Sequence, residues 1–356
     1  MSIVVLRLPD VKRKTENRPT KCRYCPGETF QRWGRVKKPV RDNRYRNVQV
    51  YRYRCCTCHR TFRYYPEGVD QADQTQRLRK LVAIYWVLGM SLRGTRIALS
   101  AFGIKISHMT VWRDLQEQAR QVAGRRHWQP VRILGIDGLY PLGQGKKQPV
   151  LIAVDLGNGQ PMAIGQVDES NPWAVRRWLE PLVQRLGVSV IVSDDLASFR
   201  KVAEKLGVEH QVCQFHVQRW AESPGPYGVG RTLRELRETV PKEWLWVLDE
   251  IKQLLEELPP EGSRRLFDLW KQVPERRSGQ SQPLSPLSQL RALLIRLSEH
   301  WPSYRVFDWD KDVPWTNNGT EQVIGRMKMR SRTVRGYKSW EGMSAALLLS
   351  GSGFNW

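Results

Sequence analysis

Two short runs, Ile133-Leu-Gly-Ile-Asp137 and Val190-Ile-Val-Ser-Asp194, are apolar almost throughout and each ends on a carboxylate. A run without polar alternation reads as a buried strand, so both runs belong inside a sheet. Around them, Val150–Asp155 and Met162–Val167 read as further strands joined through the Gly157-Asn-Gly159 turn, in the manner of a meander. Asn171–Leu186 is helical, Val188–Val192 is the second buried strand, Leu196–Leu206 is a helix, and Val208–Cys213 is a last strand.

Three antiparallel strands, then helix, strand, helix, strand, is the order of an RNase H-like α/β sheet. In that order the ends of the two buried strands are neighbours, so Asp137 and Asp194 meet at one sheet edge. Carboxylates gathered there repel one another unless divalent cations hold them. Two such ions about 4 Å apart are the standard device for in-line attack on a phosphodiester. Each acid also has a local reading. Asp194 or Asp195 fits the N-cap of the helix near Leu196, and Asn318-Gly-Thr-Glu321 fits a capping box. Asp155 sits at the mouth of a turn, where Asp is expected for local reasons. Asp308-Trp-Asp-Lys-Asp312 lacks both the glycine and the closing glutamate of a calcium loop.

Charge is distributed unevenly. The 356 residues carry a net +23, and residues 1–126 hold 28 basic against 9 acidic side chains. A field that polarised attracts polyanions, which makes nucleic acid the leading partner. Five of the six cysteines lie in the same region, as Cys22-Arg-Tyr-Cys25 and, 29 residues later, Cys55-Cys56-Thr-Cys58. Two Cys-x2-Cys turns flanking a hairpin can close a tetrahedral Zn²⁺ site, so Cys22, Cys25, Cys55 and Cys58 are the expected zinc ligands of a zinc ribbon over residues 1–70. Residues 71–124 read as three short helices. A third helix capped by Ser107 would carry His108, Arg113 and Gln116 on an exposed face, in the manner of a helix-turn-helix recognition helix.

No stretch approaches the length of a membrane span, and the apolar run at the start is short and lacks a cleavage site, so a cytoplasmic, nucleoid-associated protein is expected. Residues 130–356 form the α/β domain, interrupted by a mostly helical insertion at about 217–304 in which Trp244, Trp246, Leu254 and Leu255 form a core. A basic strip follows: Arg326, Lys328, Arg330, Arg332, Arg335 and Lys338, read as phosphate contacts.

Asp137, Asp194 and Glu321, with Cys213-Gln-Phe-His216 and the Thr316-Asn317 to Glu321 entry into a basic helix, resemble the DDE transposases of bacterial insertion sequences, most of all their Mutator-like branch. The resemblance implies that Asp137, Asp194 and Glu321 are catalytic and bind two Mg²⁺ or Mn²⁺, with Cys213 and His216 as an accessory pair shaping the site. It favours Asp194 over Asp195. It also implies double-stranded DNA as partner, both transposon ends and target, with strand cleavage and transfer in a homo-oligomeric synaptic complex. A silent DNA-binding regulator and an RNase H-like nuclease are the competing readings.

Overall fold

The computed structural model describes residues 6–126, 130–217, 229–275 and 285–354. The chain forms two compact units: Met1–Arg125 with Gly143–Gly145 and Arg326–Trp356, and Arg126–Leu142 with Lys146–Gly325. Within the insertion expected at about 217–304, residues 218–228 and 276–284 lie outside the described residues.

The first unit opens with an antiparallel sheet, β1 (Phe30–Pro39), β2 (Asn47–Cys55) and β3 (Thr61–Tyr64), in that spatial order. Val48 and Val50 on β2 pack with Val11, Val40 and Val69 into a small core. Beside the sheet come three helices, α1 (Gln76–Val87), α2 (Leu92–Ser100) and α3 (His108–Arg126). Thr75 caps α1 by accepting the Leu78 N–H, and its hydroxyl donates to Asp42, so one side chain ties the helix start to the loop after β1. Ser91 and Ser107 cap α2 and α3 in the same way. Gly103, at φ +71, makes the left-handed turn between α2 and α3 that a side chain resists.

In the second unit a five-stranded mixed sheet takes the order β8-β7-β4-β5-β6, from β4 (Ile133–Leu139), β5 (Val150–Asp155), β6 (Gln160–Gly165), β7 (Val190–Ser193) and β8 (Glu209–Val212). β4 with β5 and β5 with β6 pair antiparallel, whereas β7 lies parallel to both β4 and β8. This is the strand order that the RNase H-like expectation requires. Helices α4 (Pro172–Leu186) and α5 (Ala197–Leu206) cover one face, packing Val175, Leu179 and Phe199 on Leu134, Ile136 and Ile191. The alternate residues Ile133, Val190 and Val192 face Val306 and Val313 on the other side. Both faces are therefore apolar, as the unbroken hydrophobic runs demand.

The described residues of the insertion form a helical cluster, α6 (Val229–Thr239), α7 (Leu245–Glu257), α8 (Gly262–Gln272) and α9 (Pro286–His300). Leu254 and Leu255 are buried in its core, but Trp246 is 47% exposed, stacked on the partly buried Trp244. Two helices close the chain, α10 (Asn318–Ser331) and α11 (Trp340–Gly351). The start of α10 lies over β4 at Gly135, where a Cβ would stand 2.1 Å from Thr320 Oγ1 and 2.7 Å from Asn317 Oδ1.

Replacing Gly135 by alanine forces these short side chains and the helix behind them away from β4. We expect Gly135→Ala to lower stability by ~1–3 kcal/mol, read as a reduced urea midpoint, and Thr320→Ala in the same background to restore part of the loss.

Candidate functional site

The strand ends supply the first two acids. Asp137 lies on β4 and takes the Gly138 N–H at 2.7 Å. Asp194 follows the last residue of β7, where the chain leaves the sheet for α5. Burial pushes the Asp194 carboxyl up to about 7, with the negative charges of Asp137 and Glu169 adding to it. Its Oδ1 is buried and has no hydrogen-bond partner among the described residues. Ser193, just before it, is fixed by a 2.8 Å bond to the buried His210 on β8. The neighbouring Asp195 is occupied otherwise, since Arg200 forms an ion pair with it and the Tyr304 hydroxyl donates to it at 3.1 Å. Of the two adjacent carboxylates, only Asp194 faces Asp137 without a cationic partner, and neither caps α5 with its side chain.

Glu321 stands in the first turn of α10, and the structure gathers it with Cys213 and His216. The ligand atoms of these three lie within 4.8 Å of one another, with His216 Nε2 4.0 Å from Glu321 Oε1. Asn317 positions the helix. Its Nδ2 donates to the Ile136 carbonyl at 2.9 Å, next to Asp137, and its backbone N–H donates to Cys213 Sγ at 3.2 Å. The Gln214 N–H reaches the Trp315 carbonyl at 2.9 Å. The structure thus brings Asp137 near Asp194 and Glu321 near Cys213 and His216, all on the same unit. Asp155 accepts the Gly157 N–H, the turn role expected of it, while Asp310 and Asp312 are ion-paired with Arg132.

One acid escapes sequence reasoning. Glu169, in the segment before α4, reaches over Gly138 so closely that a Cβ there would lie 2.0 Å from Glu169 Oε2. Burial raises its carboxyl against the pull of the Tyr140 hydroxyl, which donates to it at 2.9 Å. The run Asp168-Glu-Ser-Asn171 reads as turn and helix cap, which Asp168 and Asn171 indeed are. Only the surplus of acids there hinted at more.

The residues present suit an oxygen-liganded divalent cation at the aspartate pair. Two carboxylates in mutual repulsion, one with a buried oxygen without a hydrogen-bond partner among the described residues, are stabilised by such an ion.

In the first unit, Cys22, Cys25, Cys55 and Cys58 come together as expected. Cys22 and Cys58 Sγ are 3.8 Å apart and Cys25 and Cys55 Sγ 3.6 Å, close to the ~3.8 Å edge of a zinc tetrahedron with ~2.3 Å bonds. The backbone N–H groups of Cys58 and Thr57 help bring the Cys55 thiol down to about 6, favouring the thiolate a metal needs. Cys56 is exposed and outside the cluster.

The DNA-facing expectations need correction at three places. Gln116 is buried, because α3 turns a wide stripe including Val111, Leu115, Ala119 and Val122 inward and Gln116 flanks it; His108 and Arg113 are exposed. Arg330 is also buried, its guanidinium 4.0 Å from the Trp86 ring centroid and donating to the Met90 carbonyl. Arg326 is half-buried and donates to the Gly351 carbonyl at 3.0 and 2.8 Å. Helical periodicity sends these two arginines inward and leaves Lys328, with Arg332, Arg335 and Lys338 beyond the helix, exposed. Ser107 is an exposed cap. A cavity of about 600 Å³ in this unit has Trp86, Trp112 and Leu349 in its wall, with Arg93, Arg335 and Lys338 also lining it.

Residues 175–345 match the family described as "Transposase IS66 family". No curated protein matches the sequence. Among solved structures, the catalytic core domain of BIV integrase is similar at 16% identity, over 48% of this chain and 96% of that chain, with a TM-score of 0.20. The family match supports a function of transposase type and gives no support to the Mutator-like branch. Among the described residues no helix is long and apolar enough to cross a membrane.

The raised Asp194 carboxyl gives a pH signature. The folded state binds this proton more tightly than the unfolded chain, so the group turns against folding as pH rises from the ordinary carboxylate range to about 7. Asp194→Asn should therefore stabilise the protein in magnesium-free buffer at about pH 8, by no more than about 4 kcal/mol. Urea unfolding at about pH 4, near the ordinary aspartate value, should show the gain gone.

Proposed function

We propose that this protein is an insertion-sequence DNA transposase of IS66 type. In this reading it binds the terminal inverted repeats of its element and carries out metal-dependent strand cleavage and strand transfer. The observation that carries the proposal is the facing pair Asp137 and Asp194, with the unpartnered Asp194 Oδ1, in a chain whose residues 175–345, Asp194 and Glu321 among them, match a transposase family.

In this reading Asp137 and Asp194 hold Mg²⁺ or Mn²⁺ at the sheet edge, and Glu321 approaches from α10. When bound, such ions lower the pKa of an attacking water or 3′-hydroxyl and stabilise the leaving oxygen. The chain's own part is placement. The sheet fixes the two aspartates, Asn317 sets the helix that carries Glu321, and the Tyr140–Glu169 bond keeps a further carboxylate beside them. No covalent protein intermediate is needed. Release of a 3′-hydroxyl by hydrolysis and its attack on target DNA are the same in-line displacement with the nucleophile changed.

Recognition falls to the first unit. The four-cysteine cluster organises a zinc ribbon, and α2 and α3 act as a helix-turn-helix that presents His108 and Arg113 to a groove. Lys328, Arg332, Arg335 and Lys338 contact phosphates. Processing two ends together calls for a homo-oligomer, and the protein works at the nucleoid in the cytoplasm.

Strand cleavage on DNA bearing the element's own ends, with Mg²⁺, tests the proposal. Asp137→Ala, Asp194→Ala and Glu321→Ala should each cost ~10²-fold or more in rate, with DNA affinity retained. Undiminished cleavage in all three would falsify the mechanism, and tight repeat binding without cleavage by the unaltered protein would favour a regulator. Arg335→Ala and Lys338→Ala should each reduce the salt slope of DNA binding by about 1.

A further inference from the structure

Glu321 lies beside Cys213 and His216, company chemically unlike that of the aspartate pair. Cys213 is buried at the exit of β8, its N–H bonded to the Ser193 carbonyl at 2.8 Å, so that it continues the pairing with the strand that leads to Asp194. His216 follows one helical turn later, and Glu321 comes from α10. A thiol, an imidazole and a carboxylate thus converge from two segments that Asn317 and the Gln214–Trp315 bond clamp together.

Three features distinguish this group from incidental packing. At 4.0 Å the His216 imidazole and the Glu321 carboxylate are too far apart for a hydrogen bond, yet all three ligand atoms stay within 4.8 Å. Closing in by about 1 Å or somewhat less brings them toward the ~3.3–3.8 Å separations set by metal bonds of ~2.0–2.3 Å. The Cys213 sulfur accepts backbone N–H groups from Asn317, His216 and Phe215. The ribbon shows the same device, with the Tyr24 and Gly27 N–H groups donating to Cys22 and Cys25 Sγ at 3.4 Å. Burial raises the Cys213 thiol, and the amide donors on its sulfur work against that rise, toward the thiolate that ligates metal.

We propose that Cys213, His216 and Glu321 form a site for a thiolate-accepting divalent cation of the zinc class, separate from the oxygen-liganded position at Asp137 and Asp194. Sulfur and imidazole donors suit such an ion and are foreign to Mg²⁺. Three protein ligands leave a fourth position open, as in catalytic rather than structural zinc sites. The two halves of the sheet edge then differ in metal preference. The inference draws on the strand-cleavage reading only in that Glu321 serves both.

Zinc content of the full chain, measured after gel filtration to remove free metal, tests the site. The unaltered protein should hold two zinc ions per chain, one in the ribbon and one here. Cys213→Ser and His216→Ala should each hold one, with circular dichroism unchanged. In the cobalt-substituted protein, Cys213→Ser should remove one sulfur charge-transfer contribution and leave the four-thiolate spectrum of the ribbon. A single zinc in the unaltered protein, or two retained in both variants, would overturn the site. Magnesium-dependent cleavage measured on the same samples separates the two ideas: cleavage with only the ribbon zinc removes this site alone, while two zinc ions without cleavage remove the cleavage reading alone.

Discussion

The carboxamide of Asn317 is the interaction on which the arrangement of the second unit's functional groups depends. Its bond to the Ile136 carbonyl fixes the start of α10 on β4, a strand contributed by a distant part of the sequence. The same residue's backbone N–H grips Cys213. Gly135 gives the helix room to come that near, since any side chain there would meet Thr320 and Asn317. Without this hook the sheet would still form from its apolar strands, but Glu321 would have no fixed place relative to it.

Adjacent acids at the end of β7 have opposite fates for reasons of partnership. Asp195 is neutralised by Arg200 and Tyr304 and belongs to the packing of α5. Asp194 stays in a half-buried, negatively charged setting that disfavours its ionised form. A fold that keeps such a group retains local instability in the absence of a counter-charge, the usual cost of a preorganised site.

Much of this was legible in the residues. Unbroken apolar runs revealed the two central strands, and their terminal aspartates revealed the pair. Spacing alone identified the four cysteines that converge. Glu169 was not legible, because turn and capping chemistry explains its neighbours fully and only the tertiary path brings it over Gly138. Nor were the Asn317 bonds that hold the start of α10 to Cys213 and β4, because they join segments remote in sequence. Arg330 and Gln116 were misread as outward because charge and polarity suggest solvent, whereas helical phase and a nearby tryptophan ring decide otherwise.

Those inward arginines change the meaning of the chain's basic composition. Arg77, Arg79, Arg126 and Arg330 are all buried, donating to backbone carbonyls or pairing with internal acids. Each is a cation by formula that displaces no ion from a nucleic acid. The formal charge is therefore a ceiling on how many condensed counterions binding can release, and the protein's response to ionic strength is set by the smaller population of lysines and arginines left at its surface.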